Sequence, residues 1–189
     1  MPVNALPTLR DRIKPGVRVL FVGINPGVRS ALTGHHFAGY SNRFWKLLFE
    51  SGLVPQRITF ADDDRLPEWG YGITNVVPRA TPGMSDLTRD EYQDGARTLL
   101  KKIRRYRPAI VALIGVTVWR ALLEALDAPR ARVRPVELGI QDTRDLGSRF
   151  ARAIPASTEM FVLPNPSGRN ANYSYEEMLD AFRALKRQL

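Results

Sequence analysis

Three short apolar runs, far apart in the chain, constrain its fold more than any other feature. They extend from Val17 to Gly23, from Ala109 to Gly115 and from Met160 to Pro164. Each is rich in Val, Ile, Leu or Phe and ends at Gly or Pro, which is typical of a buried β-strand. We predict a further strand from Ile73 to Val77 and another around Pro135 to Ile140.

Helical segments are predicted between and after these strands. Two of them begin at capping boxes, Thr88 to Glu91 and Ser174 to Glu177, where a hydroxyl and a carboxylate satisfy free backbone N–H groups. The helix that starts at Thr88 is expected to end at about Tyr106. Ser41 is predicted to cap another helix, whose aromatic residues at 44 and 45 belong to the core.

The order of these elements indicates the fold class. A fourth helix is predicted from Thr117 to Leu126, whereas the polar stretch from Arg57 to Glu68 is predicted to be a loop. Strands that alternate with helices favour a parallel sheet that is covered on both faces. We therefore expect an α/β fold, a three-layer αβα sandwich with a mainly parallel central sheet of four or five strands.

Length and composition limit the organisation and the chemistry. The 189 residues fit one domain, residues 17–189, preceded by an N-terminal arm, residues 1–16. No apolar run is long enough to span a bilayer and no secretory core begins the chain, so we expect a soluble cytoplasmic protein, associated with the nucleoid. Cysteine is absent and the two histidines are adjacent, which excludes disulfides, zinc–thiolate sites and multi-histidine metal sites. We expect no metal and no cofactor.

The net charge of +9 suggests a polyanionic partner, with nucleic acid as the first candidate. A solvated basic surface without a partner is the alternative. Two loops of unusual composition are candidates for the binding site. They are GINPG at Gly23 to Gly27 and PNPSGRN at Pro164 to Asn170. Because both follow strands of a parallel sheet, they should meet at its carboxyl edge, where ligands bind in such folds. We predict the active site there.

Three motifs in order carry a resemblance to a known family. GINPG after a strand, FAGYSNRFW from Phe37 to Trp45, and LPNPSGRN from Leu163 to Asn170 resemble the mismatch-specific uracil-DNA and thymine-DNA glycosylases of the uracil-DNA glycosylase superfamily. The likeness extends from about Val17 to Leu185. It implies a monomeric, monofunctional DNA glycosylase without a cofactor. Such an enzyme flips uracil, or a related damaged or mismatched base especially opposite guanine, out of duplex DNA and hydrolyses the N-glycosidic bond, leaving an abasic site.

The resemblance implies that Asn25 holds the attacking water. An amide oxygen accepts a hydrogen bond from water but cannot take up its proton, so catalysis should depend on positioning, and turnover should be slow. Gly23 and Gly27 are expected to allow tight turns and a close backbone approach, and Pro26 to stiffen the loop. The alternative is that Asn25 only caps the loop backbone.

The base pocket is implied by the second motif. Phe37 should stack on the flipped base, while the backbone N–H groups of Ile24 and Phe37 contact its edge. Asn42 is expected to support the site loop without touching the substrate. We interpret His35 and His36 as an exposed pair without function.

The loop after Pro164 should supply a wedge that fills the gap left by the flipped base. Arg169 occupies the wedge position, where bacterial members commonly carry leucine and thymine-DNA glycosylases carry arginine. A basic residue found two positions later in some relatives is Ala171 here, which puts strong guanine selectivity in doubt. Ser167 and Ser30 are candidate phosphate contacts. The other residues assigned to the wedge loop are Asn165, Pro166, Gly168 and Asn170.

Asp86 is a hypothetical auxiliary catalytic group. It is the first acid on the loop after the Ile73 strand, and it could accept a proton late in the reaction or stabilise a cationic sugar. Helix-terminus capping or simple exposure to solvent is the alternative.

Two other functions stay open. One is a damaged-DNA-binding module without catalysis, and the other is an α/β enzyme that acts on small nucleotides or nucleosides. The sequence leaves undecided which lesion is the physiological substrate and whether single strands are cut.

Overall fold

A computed structural model of the protein describes residues 6–127 and 135–189. Its sheet has five strands in the order β2-β1-β3-β5-β4. Strands β2, β1, β3 and β5 are parallel, and β4 is antiparallel to β5. The predicted α/β fold with a mainly parallel sheet is therefore confirmed. The strands are β1 Val19–Gly23, β2 Tyr71–Asn75, β3 Ile110–Ile114, β4 Gly139–Ile140 and β5 Glu159–Leu163.

Helices cover both faces of the sheet. They are α1 Val28–Thr33, α2 Phe44–Glu50, α3 Arg89–Tyr106, α4 Val116–Ala125, α5 Ser148–Ala153 and α6 Tyr175–Lys186, with 3₁₀ segments at Phe60–Trp69 and Met84–Asp86. Both predicted capping boxes are formed, at Thr88 and at Ser174. These boxes fix where the long helices α3 and α6 begin, because each satisfies N–H groups that the first helical turn leaves free.

Alternate residues of each buried strand face opposite layers, as the period of a strand requires. Phe21 in β1 packs on one face with α2 and α6, where Phe44 and Phe182 belong to the same cluster. Leu20 and Val22 point to the other face and pack with residues of α3, α4 and α5. The three layers leave the carboxyl ends of β1, β2, β3 and β5 together at one edge.

Three local predictions were wrong. Ser41 does not cap α2; the helix begins after Arg43, and Asn42 Oδ1 accepts from the Phe44 N–H at 2.9 Å. The stretch predicted as a loop from Arg57 to Glu68 contains most of the 3₁₀ segment, which a Thr59–Asp62 capping box opens. Around Pro135 to Ile140 only the last two residues form a strand. Helix α5 was not predicted.

Part of the segment interpreted as an arm packs on the sheet. Residues 1–5 of it lie outside the described part of the chain. Arg12 pairs with Ile73 of β2 through two backbone hydrogen bonds of 3.0 and 2.9 Å, and the Leu9 side chain is buried. In the described residues, no helix is both long enough and apolar enough to cross a membrane.

Candidate active site

A cavity of about 170 Å³ opens at the carboxyl edge of the sheet. Its walls come from the end of β1, the loop between α1 and α2, the end of β2 and the loop after β5. Both loops predicted to form the site therefore contribute to one cavity. Its lining includes Gly23, Ile24, Asn25, Pro26, Gly27, Ser30, His36, Phe37, Asn42, Asn75 and Asn165.

The amide of Asn25 is held at one end only. Its Nδ2 donates to Thr81 Oγ1 at 2.7 Å and lies 3.2 Å from the carbonyl oxygens of Arg79 and Pro26. Its Oδ1 accepts no hydrogen bond from the described residues. Thr81 Oγ1 in turn donates to Gly83 O at 2.6 Å, which fixes it as the acceptor for Asn25. The free Oδ1 can thus accept a hydrogen bond from a molecule in the cavity.

The floor of the cavity is packed too tightly for a side chain at position 23. A Cβ on Gly23 would lie 2.6 Å from Asn75 Oδ1 and 3.2 Å from Phe37 Cζ. The predicted close approach is therefore found at Gly23. Gly27 is different, because its φ is −73° and no atom lies within 4 Å of a Cβ built there. No contact among the described residues therefore requires glycine at position 27, and its role in a close approach stays a prediction.

Phe37 adopts a backbone conformation that is rare for a residue with a side chain. Its φ is +51°, and its ring packs against Phe44 with centroids 4.4 Å apart. A left-handed non-glycine residue is costly and persists only where the surroundings impose it. The ring is half-buried and lines the cavity, so Phe37 belongs both to the edge of the core and to the site. Neither the Phe37 nor the Ile24 N–H donates within the described residues.

His36 is not exposed, which corrects the interpretation of the histidine pair. Its side chain is almost fully buried and lines the cavity, and burial lowers its pKa below the ordinary value of 6.5. Its Nε2 lies 3.0 Å from the carbonyl oxygen of Arg10, which can only accept, so Nε2 carries the proton. In the neutral ring Nδ1 is then an acceptor, and it takes a hydrogen bond from Asn75 Nδ2 at 3.4 Å. Asn75 consequently turns its Oδ1 toward Gly23 and the cavity.

The loop between α1 and α2, which carries His35, His36 and Phe37, is held by a buried carboxylate that the sequence analysis missed. Asp63, in the 3₁₀ segment, has no exposed surface. Its Oδ1 lies 3.0 Å from Arg12 Nε and 3.0 Å from His35 Nδ1, and its Oδ2 accepts from the His36 N–H at 2.9 Å. A buried charge is stable only with such partners. Asp63 therefore fixes the loop that presents Phe37.

Ser30 and Asn42 have structural contacts inside the site. Ser30 is buried and its Oγ accepts from the Ala38 N–H at 3.1 Å. Ser30 also lines the cavity, so its assignment as a phosphate contact stays a prediction. Asn42 lines the cavity as well and supports α2 through the bond to Phe44.

The loop after β5 is fixed through its backbone. Asn165 Oδ1 accepts from the Ser167 N–H at 3.0 Å, and Asn170 Nδ2 donates to Asn165 O at 2.8 Å. Pro166 O accepts from the Arg43 N–H at 2.9 Å, which joins this loop to the start of α2. Arg169 is exposed at the tip of the loop, and no side-chain contact of it is found within the described residues.

The same loop touches the Phe37 loop at Gly168. A Cβ at this position would lie 2.5 Å from Ser41 Cβ and 2.8 Å from Ser41 O. Only glycine fits between the two backbones. Ser167 is half-buried and its Oγ accepts from the Arg169 N–H at 3.3 Å.

Asp86 lies outside the cavity lining. It is exposed on the 3₁₀ segment Met84–Asp86, and its Oδ2 accepts from the Gly83 N–H at 3.0 Å. Its backbone oxygen accepts from Arg79 Nη2 at 2.9 Å. The structure thus gives Asp86 a turn-capping contact and does not bring its carboxylate together with Asn25.

Thr81 and Asn75 are site residues that the sequence analysis did not name. Asn75 ends β2 in the way that polar residues follow β1 and β5, and this signal could have found it. Thr81 had no comparable signal, because a threonine between Ala80 and Pro82 is ordinary in a loop. In the described residues, no group of three His, Asp or Glu side chains is arranged to hold a metal ion.

The sequence was also compared with known protein families. The model of the uracil DNA glycosylase superfamily matches residues 10–186, nearly the whole chain. The match covers every strand and helix described above, including both loops that form the cavity. Enzymes of this superfamily act on DNA and hydrolyse the bond between a base and its sugar. The chain belongs to the uracil DNA glycosylase superfamily, and its general activity is that of a DNA glycosylase.

Proposed function

We propose that this protein is a monofunctional glycosylase that removes uracil from duplex DNA, above all opposite guanine, and leaves an abasic site. It acts as a monomer through the single domain of residues 17–189 and needs no cofactor. The observation that carries the proposal is the Asn25 amide, whose Nδ2 is tied to Thr81 while its Oδ1 is free at the cavity. Three motifs shared with the mismatch-specific and thymine-DNA glycosylases support this branch of the superfamily.

Hydrolysis begins with a water held by Asn25 Oδ1 against the anomeric carbon of the flipped nucleotide. Because the amide takes no proton, the water adds only as the bond to the base breaks and the sugar becomes an electrophilic cation. The base leaves with the bonding electrons as an anion, and the proton that the water releases on forming the C–O bond goes to solvent or to the departing base. Positioning supplies the rate enhancement, which makes turnover slow. Thr81 is a positioning residue here, since it acts on the water only through Asn25.

Base recognition follows from the hydrogen-bonding direction of Asn75. The neutral His36 ring accepts from Asn75 Nδ2, so Asn75 Oδ1 is an acceptor that faces the cavity. Uracil and thymine carry a donor at N3, whereas unprotonated cytosine carries an acceptor there. The free N–H groups of Ile24 and Phe37 are suited to the base carbonyl oxygens, and the Phe37 ring to its face.

Arg169 enters the gap in the duplex and contacts the guanine left without its partner. Its exposed side chain stands on a loop with a fixed backbone, which suits a group that must enter the base stack. Filling the gap offsets part of the few kcal/mol that base flipping costs.

The experiment that tests the proposal is a lesion panel. Purified protein is incubated with duplexes that contain uracil, thymine or ethenocytosine opposite guanine or adenine, and abasic sites are detected by alkaline cleavage. Cleavage fastest at uracil opposite guanine, unaffected by EDTA, is the expected result. Tight lesion binding without any cleavage would instead support a damaged-DNA-binding module, and cleavage of free nucleosides would support a nucleoside hydrolase.

A further inference from the structure

Arg29, in α1 next to the cavity, carries a charge that nothing in the described protein neutralises. Its guanidinium carbon lies 3.5 Å from the centroid of the Tyr40 ring and 5.5 Å from that of Phe60. Its Nε is enclosed and has no hydrogen-bond partner, and no acid among the described residues pairs with it. Buried donors are satisfied in most proteins, so the enclosed Nε of this half-buried side chain needs an explanation.

Other arginines of the protein are paired with acids. Arg12 is bound to Asp63, and Arg79 forms an ion pair with Glu91. Asp63 is in the same 3₁₀ segment as Phe60, but its oxygens are taken by Arg12 and by the loop between α1 and α2. Arg29 is held instead between two aromatic rings, which orient the guanidinium without consuming the donors on its Nη atoms.

Tyr40, whose ring stacks on Arg29, is an exposed aromatic residue. Tyr40 is 91% exposed, although one face of its ring stacks on Arg29. Its position in the chain is three residues after Phe37, on the loop that lines the cavity. Arg29 itself directly precedes Ser30, another lining residue. Tyr40 likewise directly follows Gly39, which lines the cavity. Each member of the Arg29–Tyr40 pair is therefore next to a lining residue without lining the cavity itself, which places the pair at its rim with the outer face of the Tyr40 ring open to solvent.

A planar cation beside an open aromatic face matches the repeating chemistry of a nucleic-acid strand. A guanidinium binds a phosphate diester through two parallel hydrogen bonds, and an aromatic ring packs on a sugar or base. We propose that Arg29 and Tyr40 form a DNA contact at the rim, in which Arg29 binds a backbone phosphate of the strand that enters the cavity. Tyr40 packs on the neighbouring nucleotide. This inference rests on the proposed function, because it takes the cavity as the base pocket.

The contact does not depend on a lesion, since phosphates and sugars are the same in undamaged DNA. It should also operate on single strands, where stacking and charge together carry affinity. Its contribution is therefore to affinity for any DNA that reaches the rim, more than to the rate of bond cleavage.

The test measures binding of undamaged DNA, double- and single-stranded, by fluorescence anisotropy over a series of salt concentrations. Arg29→Gln should raise Kd about tenfold and reduce the slope of log K against log salt by about 0.9, the value for one lost phosphate contact. Tyr40→Ala should raise Kd by a similar factor. The double variant should lose less binding free energy than the two single variants lose in sum, because the two side chains act together.

The matched control is Arg105→Gln. Arg105 lies over Tyr106 at 5.3 Å and is exposed, but it stands in the last turn of α3, at the opposite edge of the sheet. The Arg105→Gln substitution should leave the Kd for DNA and the salt slope unchanged. The melting temperature of each variant shows whether it is folded, and the exposed Tyr40 provides a second variant if Arg29→Gln is not.

Equal Kd values and salt slopes for the folded Arg29→Gln, Tyr40→Ala and Arg105→Gln proteins would overturn the inference. The outcome is separate from that of the proposed function, because undamaged DNA is not cleaved. A wild-type protein that cleaves no lesion while Arg29→Gln weakens DNA binding would refute the proposed function and leave the contact standing. If the wild type cleaves a lesion, Arg29→Gln should slow cleavage more at low protein concentration than at saturating protein concentration.

Discussion

The two loops at the carboxyl edge of the sheet hold their main side chains in opposite ways. In the GINPG loop the side chain itself is fixed, because Asn25 Nδ2 donates to Thr81. In the loop after β5 the backbone is fixed by Asn165 and Asn170, whereas the Arg169 side chain extends freely. A group that positions water must be in place before the reaction. A group that enters DNA must be able to change its rotamer, and fixing it beforehand would hinder entry.

Removing the fixed side chain of the GINPG loop should have the largest effect on cleavage. Asn25→Ala should lower the single-turnover cleavage rate about a hundredfold or more, because it removes the amide oxygen proposed to hold the water. Affinity for lesion DNA should change little. Single-turnover assays and anisotropy measure the two quantities. A parallel loss of binding and cleavage would make Asn25 a structural loop residue.

Thr81→Val tests whether the fixation itself matters. The substitution keeps the shape of the side chain but removes the shortest of the three hydrogen bonds of Asn25 Nδ2, so the two longer ones to carbonyl oxygens hold the amide less firmly. We expect the cleavage rate to fall about tenfold, the cost of one hydrogen bond to a well-placed group, with little change in Kd. A rate equal to that of the wild type would show that Asn25 needs no support.

Arg169→Ala tests the free side of the comparison. Loss of the wedge should weaken binding to the abasic product about tenfold and speed product release, so that multiple-turnover cleavage improves relative to single-turnover cleavage. The preference for guanine opposite the lesion should also decrease. Unchanged affinity for the product would exclude Arg169 as the wedge.

The pH dependence of cleavage tests the hydrogen bond between His36 and Asn75. Burial holds the pKa of His36 below 6.5, and the charges of Asp63, Asp11 and Arg12 act on the same ring. As the pH falls through that lowered pKa, Nδ1 gains a proton and can no longer accept from Asn75, so uracil cleavage should fall about tenfold per pH unit. Asn75→Ala should be slower at pH 7.5 but show a flatter acid limb. An identical pH profile in both proteins would separate His36 from base recognition.

The same group makes stability depend on pH. In the unfolded chain His36 titrates near 6.5, whereas the folded protein binds that proton only at lower pH. The stability that the neutral ring contributes is therefore present above pH 6.5 and is lost as the pH falls toward the lowered pKa. Urea unfolding between pH 5 and pH 8 should show this slope, and His36→Asn should remove it.

The smallest effect is expected at Asp86. If it only caps the turn at Gly83, Asp86→Asn should cleave within about twofold of the wild type, and Asp86→Ala should cost about 1 kcal/mol of stability. Each Asp86 substitution is also made in the Asn25→Ala background, where a catalytic Asp86 would cause near-complete loss of cleavage. A clear single-turnover defect in Asp86→Asn at unchanged affinity would restore the catalytic hypothesis for this residue.

The sheet and the ends of the long helices were predictable because each depends on a local pattern. Apolar runs between Gly or Pro residues gave the buried strands, and Thr88 and Ser174 gave the helix starts through their capping boxes. Short elements were harder, since few residues define them. Helix α5 and the 3₁₀ segment from Phe60 to Trp69 are stabilised mainly by packing against distant parts of the chain, which a local pattern does not reveal.

The lining of the cavity was predictable where a polar residue follows a strand, as at Asn25 and Asn165. It was not predictable where a residue acts through a distant partner. The burial of His36 depends on the carbonyl of Arg10 and on Asn75, far away in sequence. The same holds for Asp63, whose run of three aspartates looks like an exposed charged surface. Composition identifies such residues as polar, but only the fold determines which of them is buried.

The close contact between Gly168 and Ser41 has a consequence for how such an enzyme would survey a genome. Together with the bond from Arg43 to Pro166, it joins the loop after β5 directly to the loop that carries Phe37, so that movement of one loop requires movement of the other. In the proposed glycosylase, capture of a base and filling of its gap are then a single all-or-none event. A normal base pair that resists opening rejects both halves of the protein at once, so each visit to intact DNA ends quickly. In the proposed glycosylase, a slow chemical step would thus be combined with a fast search.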